Sequence, residues 1–96
     1  MVHSFPMGYA VKIEKRALKT LDKIDPQTRT LILSWINKNL VDCKNPRALG
    51  HSLTGPRSDQ WRYRVGDWRL LAHIDDGEVV IYIFKIGNRK DVYRRN

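Results

Sequence analysis

Arg62, Arg64 and Arg69 flank the dipeptide Gly66-Asp67, and Arg89, Lys90, Tyr93 and Arg94 crowd the C-terminus. A guanidinium group stays protonated at any working pH and can grip a phosphate through two parallel hydrogen bonds. Several of them together can neutralise the charge that builds on a phosphorus atom during displacement. The same property makes arginine a poor proton acceptor, so this set positions and stabilises without removing a proton. Tyr93 among cations offers a ring on which a base can stack. Arg47, in a loop further upstream, is a further candidate for contact with a phosphate backbone. His3, His51 and His73 lack the spacing of metal ligands, and Cys43, the single cysteine, can form neither an intrachain disulfide nor a cysteine zinc site. We therefore expect no metal and no cofactor.

The elements that must position these groups are legible. Trp61-Arg-Tyr-Arg-Val65 alternates, Gly66 stands first in a two-residue turn of type II′, and Trp68 to Ile74 follows as a second strand. Such a turn sets Val65 opposite Trp68, Arg64 opposite Arg69, Tyr63 opposite Leu70 and Arg62 opposite Leu71. Alternation then gives Trp61, Tyr63, Val65, Trp68, Leu70, Ala72 and Ile74 one face, and the arginines the other. Like charges at opposed positions repel, and we expect no carboxylate on that face. It continues through Leu71, His73, Val80, Tyr82 and Phe84, an apolar and aromatic floor on which bases could stack. Asp76-Gly77 reads as a second turn into Val79–Phe84, an unbroken apolar run suited to a central strand.

Upstream, Tyr9, Val11 and Ile13 alternate as a short strand. Ala17, Leu18, Leu21 and Ile24 then mark the inward stripe of a helix, and Asp25-Pro26 caps and starts a second one reaching about Val41 with Ile32, Trp35, Ile36 and Leu40 inward. Residues 44–60, with Asn45-Pro46, Gly50 and Gly55-Pro56, show no period and read as a loop carrying Arg47, His51 and Arg57. Trp35, Trp61 and Trp68 are assigned to the core, Cys43 to a helix end. The expected fold is α+β, in the order β-α-α-β-β-β: a helical hairpin on one face of a small, mainly antiparallel sheet, followed by a short basic segment. Residues 1–6 read as an extension before a single domain spanning 7–96.

The 96-residue chain carries 18 Lys plus Arg against 10 Asp plus Glu, a net charge of +8. With 42% apolar and 29% charged residues it is composed as a folded protein rather than a disordered one. A surface so basic attracts polyanions, whether nucleic acid, an anionic membrane or an acidic protein. The clustered arginines and Tyr93 favour nucleic acid, and RNA slightly over DNA. No basic and apolar leader opens the sequence and no apolar run could span a bilayer, so a reducing, cytoplasmic location without membrane association is expected.

The blocks Trp61-Arg-Tyr-Arg-Val-Gly-Asp-Trp-Arg-Leu-Leu71 and Ile83-Phe-Lys-Ile-Gly-Asn-Arg-Lys-Asp-Val-Tyr93, with Asn45-Pro46-Arg47 and Gly50 upstream, resemble the RelE/ParE toxin superfamily. For RelE-type members the resemblance implies an mRNA endonuclease working in the ribosomal A site, by attack of a ribose 2′-hydroxyl on the adjacent phosphate. It also implies, as partners, a cognate antitoxin, mRNA and the ribosome with its small-subunit rRNA. By position it places Arg62 and Arg64 near the scissile phosphate, Arg69 at the transition state, Arg89 near the leaving oxygen and Tyr93 against the nucleotide; Lys90, Arg94 and Arg47 would contact RNA. The lysines some relatives carry at positions 62 and 64, and the histidine some carry at 88 or near 93, are arginine and asparagine or absent here. Tyr93 or His51 remains to move the proton. A ParE-like gyrase inhibitor without nuclease chemistry, and a non-catalytic ribosome- or RNA-binding domain, are the competing readings.

Overall fold

The computed structural model describes residues 8–57 and 59–92; the expected N-terminal extension, His3, Tyr93 and Arg94 lie outside them. The chain opens with strand β1 (Ala10–Ile13), enters helix α1 (Lys15–Lys23) and turns back in helix α2 (Pro26–Asn39). Pro26 starts α2 where its missing N–H costs nothing. Asp25 caps that start, its carboxylate accepting from the Thr28 N–H at 3.0 Å and hydroxyl at 2.6 Å, which holds its pKa below the usual value. The hairpin is tied by Arg29, which donates to the Leu21 carbonyl at 2.7 Å and to those of Asp22 and Ile24, satisfying acceptors that the end of α1 leaves open.

A short strand β2 (His51–Ser52) and a 3₁₀ turn (Gly55–Arg57) then lead to β3 (Trp61–Val65), β4 (Trp68–Asp75) and β5 (Val80–Asn88). The five strands lie in the order β1-β5-β4-β3-β2, with β1 parallel to β5 and the remaining pairs antiparallel. This is the expected α+β architecture with one more strand, β2, inside the segment that sequence alone reads as loop. The helices cover one face: Ala17, Leu21, Ile32, Ile36 and Leu40 pack on Tyr63, Val65, Leu70, Ala72, Ile81, Ile83 and Ile86. Leu18 departs from the expected stripe and is 47% exposed, while the three tryptophans lie half-buried at the core's margin rather than inside it. Among the described residues no helix is long and apolar enough to cross a membrane.

Two details of the strands differ from simple alternation. The β4–β5 connection is a loop of Asp76 to Val79 rather than a two-residue turn, because Asp75 pairs with Val80; Val79 has φ +60° and the Asp75 carboxylate receives the Glu78 N–H at 2.9 Å. Further on, Leu71 pairs with Lys85 but Ala72 with Ile83, so Phe84 is an extra residue in β5, a β-bulge. Beyond the bulge the alternation inverts. Ile86 turns into the helix-covered core at 3% exposure, and Lys85 turns to the opposite face.

The crossing segment is fastened from below. The buried Tyr63 donates its hydroxyl to the carbonyl of buried Pro46, and Trp61 Nε1 donates to the Leu49 carbonyl at 2.7 Å. Burial pushes the Tyr63 phenol far up, so it stays protonated and remains a donor. Tyr63→Phe should cost about 1–3 kcal/mol, since it leaves a buried carbonyl unpaired; chemical denaturation should show a lower midpoint with an unchanged slope.

Candidate functional site

The tight hairpin pairs Arg64 with Arg69, and Arg62 with Leu71, on the face away from the helices. Gly66 has φ +60°, the conformation that the first position of this turn demands and glycine supplies at no steric cost. Arg69 is buried at 8% exposure, its Nη1 donating to the carbonyls of Gly66 at 2.8 Å and Trp68 at 3.0 Å. It therefore braces the turn as well as carrying charge. Arg64 is exposed and Arg62 half-buried.

β5 brings the C-terminal cations to the same end. Gly87 pairs with Arg69, and the Arg89 N–H donates to the Asp67 carbonyl at 2.8 Å, which places the exposed Arg89 against the hairpin turn. A turn follows: Asn88 Oδ1 accepts from the Lys90 N–H, and its carbonyl accepts from the Asp91 and Val92 N–H groups. This folds Val92 back over the sheet, and a Cβ at Gly87 would meet the Val92 backbone at 3.0 Å. Arg62, Arg64, Arg69 and Arg89 thus gather at one end of the sheet, with the exposed Lys90 beside them.

The expected open floor is only partly open. Leu71 is 2% exposed because Leu53 and Val92 cover it, with Phe84 beside them. Further along, His73 stacks on Phe84 with ring centroids 4.7 Å apart. The face also carries carboxylates, contrary to the expectation, but at its far end: Asp75 pairs with Val80, and Glu78 accepts the Tyr82 hydroxyl at 2.8 Å, which raises that phenol's pKa. Asp75 lies six positions beyond Arg69 along β4, roughly 20 Å at a strand's rise. The face is polarised, cationic at Gly66 and acidic at Val79.

Arg47 is placed elsewhere. It grips Asp76 through two bonds of 3.0 Å, and the same carboxylate accepts the Tyr9 hydroxyl at 2.6 Å. Its guanidinium thereby holds the crossing loop on the β4–β5 turn, at the acidic end of the face. Arg47 and then Tyr9 hold the Asp76 carboxyl below the usual range. A depressed carboxyl pKa contributes stability above the unfolded value, and that contribution is lost as pH falls through the folded one. Amide exchange in residues 44–50 should therefore accelerate below about pH 4, and Asp76→Asn should remove that pH dependence.

Two groups beyond the expected set stand on the arginine face. His51, read from sequence as a loop residue, pairs with Arg62 and lines a cleft of about 310 Å³ with Arg62, Arg64, Gly50, Trp35 and Asn39. Lys85, turned outward by the bulge, flanks Leu71 on the side opposite Arg62. Burial first, then Arg16 and Arg57, push its ammonium pKa down. A lone lysine interrupting the apolar run of β5 was the signal for it; β2 is too short to leave one. Burial raises the pKa of the half-buried Cys43, which does not favour a reactive thiolate.

A helical pair over one face of a small mixed sheet is a fold that this chain shares with solved RelE toxins. The isolated E. coli RelE toxin superposes with a TM-score of 0.66 at 20% identity, over 93% of this chain and 88% of that one. The toxin–antitoxin complex RelBE2 of Mycobacterium tuberculosis gives a TM-score of 0.77 at 24% identity, over 85% of this chain and 99% of that one. Residues 11–93 match the family model for the ParE toxin of type II toxin-antitoxin systems, parDE, and the chain belongs to this family, within the RelE/ParE superfamily. Toxin RelG of Mycobacterium tuberculosis is 28% identical over 89 residues, which span 93% of this chain and all of RelG.

Proposed function

We propose that this toxin is a ribosome-dependent endoribonuclease that cuts mRNA in the A site and is silenced by a cognate antitoxin. The observation that carries the reading is the convergence of Arg62, Arg64, Arg69 and Arg89 at the Gly66-Asp67 end of the sheet. In the reaction the 2′-oxygen bonds to phosphorus as the bond to the 5′-oxygen breaks, leaving a 2′,3′-cyclic phosphate and a 5′-hydroxyl. One proton must leave the 2′-hydroxyl and one must reach the 5′-oxygen. Arg64 and Arg69 neutralise the phosphorane and Arg89 the leaving oxygen, with charge supplied by the chain rather than by a metal. Tyr93 would orient the nucleotide, and Lys90 and Arg94 would follow the backbone.

His51 is the group best matched to the proton transfer, since an imidazole can both accept and donate a proton and it shares a cleft with Arg62 and Arg64. A cluster of fixed cations with one histidine relies heavily on alignment of the RNA. The ribosome would supply it, a contribution of about 7–11 kcal/mol at best. Cutting of free RNA should be negligible. The structures of toxin–antitoxin complexes among the relatives support an antitoxin as partner, and a segment laid over the arginine end would mask it. The cytoplasm, where ribosomes translate, would be its place of action.

The burial of Arg69 under its own turn favours a second reading, a gyrase-binding module of the ParE kind without nuclease chemistry. Mapping mRNA 5′ ends in a translating extract, beside a gyrase supercoiling assay, separates the two. Codon-phased ends with unchanged supercoiling support the nuclease, and inhibited supercoiling with intact mRNA overturns it.

A further inference from the structure

Trp35 and Asn39 stand about one turn apart on α2 and so share a face of that helix. They line one side of the cleft of about 310 Å³ that His51 and Arg64 line from the sheet, and Leu49, 43% exposed, borders the same space. The half-buried Trp35 is well supported. Its ring leans on that of the fully buried Tyr63, with centroids 5.7 Å apart, and its carbonyl accepts from Asn39 Nδ2 at 3.0 Å. Among the described residues, the Trp35 indole N–H, the His51 ring and the Arg64 guanidinium have no hydrogen-bond partner, whereas Trp61 Nε1 is bonded to the Leu49 carbonyl. Asn39 keeps an acceptor oxygen and one N–H. A site for phosphate alone needs cations and other donors, and has no use for an indole and an exposed leucine. Apolar walls with a few polar groups at the edge are instead the make-up of a small-ligand site, and the volume suits one. A nucleotide matches both halves: its phosphate suits the arginine side, and a flat base with polar edges suits the Trp35 side.

We propose that Trp35, Leu49 and Asn39 form a base pocket: the nucleobase next to the phosphate held by Arg64 enters this cleft, packs against the indole and Leu49, and has its edge read by the Asn39 amide. The pocket rests on the nuclease reading for the identity of its ligand, and deepens it. Arginines on the backbone phosphates fix register without telling one base from another. Asn39 supplies that discrimination beside the cut, and has no part in bond breaking.

The test uses the full chain and 2′-O-methyl RNA oligonucleotides, which cannot be cut, in fluorescence-anisotropy titrations. A single abasic nucleotide is moved along the strand. At one position it should weaken binding by roughly 5–150-fold, the worth of one base on an aromatic ring. That penalty should largely vanish in Trp35→Leu, which keeps an apolar side chain beside Tyr63, and shrink in Leu49→Ser. Asn39→Ala should keep most of the penalty but level the affinities of the four bases at that position. Leu33→Ser, exposed on α2 and outside the cleft, should alter neither, and melting curves of all variants report their folding. In the wild type, the NMR signal of the Trp35 indole N–H, identified by its loss in Trp35→Leu, should shift with the intact strand and not with the strand abasic at that position. An undiminished penalty in folded Trp35→Leu, an unchanged base preference in Asn39→Ala, or an unmoved indole signal would overturn the pocket. So would weakened antitoxin binding by these variants with an unchanged abasic pattern, which would assign the cleft to the antitoxin. Codon-phased cutting by the same preparations tests the nuclease reading separately: wild-type cutting with an undiminished penalty in Trp35→Leu removes only the pocket, whereas the predicted abasic pattern without cutting removes only the nuclease.

Discussion

Arg89→Ala should lower mRNA cutting on ribosomes by roughly 10²–10³-fold, the loss typical when one preorganised donor to a developing oxyanion is removed. Arg89 is exposed and its only described anchor is a backbone N–H bond to Asp67, which alanine keeps. Its melting temperature should stay close to that of the wild type. Arg69→Ala should be at least as damaging to cutting, but here folding is also touched. The lost side chain leaves the Gly66 and Trp68 carbonyls without their guanidinium donor, a cost of about 1–3 kcal/mol. Arg69→Lys separates the two effects: it keeps a positive charge and loses the planar fork. If geometry on the phosphate matters, the lysine variant folds nearly as well as the wild type and still cuts poorly. Full cutting by both Arg69→Lys and Arg89→Ala would refute the site.

Gly50→Ala should be strongly destabilising, and it reaches the site directly. Gly50 has φ +80°, a region in which a side chain is strained, and a Cβ there would collide with the Arg62 carbonyl and lie 2.8 Å from Trp61 Nε1. The obstacle is the backbone of β3, which cannot move without moving Arg62. A cost on the order of 3 kcal/mol is expected, which lowers the melting temperature of a domain this size by roughly 12–24 °C. Because Gly50 immediately precedes His51, the His51–Arg62 pairing should loosen first. Amide exchange at His51 and Ser52 should then rise more than in α2, and cutting should fall even at temperatures where the variant is folded.

The arginine hairpin was legible in the sequence because a two-residue turn leaves no freedom of register: once Gly66-Asp67 is a turn, Arg64 must face Arg69. The helical hairpin was legible for a similar reason, since Asp25-Pro26 can scarcely be anything but a cap and a start. What escaped were features decided by packing between distant segments. The bulge at Phe84 exists because Ile86 gains a place in the core and Lys85 a place outside, a choice that periodicity along one strand cannot register. The pairing of His51 with Arg62 depends on a strand of two residues, shorter than any pattern. The cover over Leu71 comes from Val92 and Leu53, far apart in sequence, whose only shared property there is a need for burial. Arg47 shows the converse: its charge was plain, but Asp76, which anchors it, lies 29 positions away.

The most direct measurement is primer extension on a defined mRNA held by purified ribosomes with a sense codon in an empty A site. The toxin should cut inside that codon, leave the same mRNA intact when no ribosome is present, and fail when the nucleotide before the cut carries a 2′-O-methyl group. Intact message on programmed ribosomes, equal cutting of free mRNA, or cutting past the blocked 2′-oxygen would contradict the account.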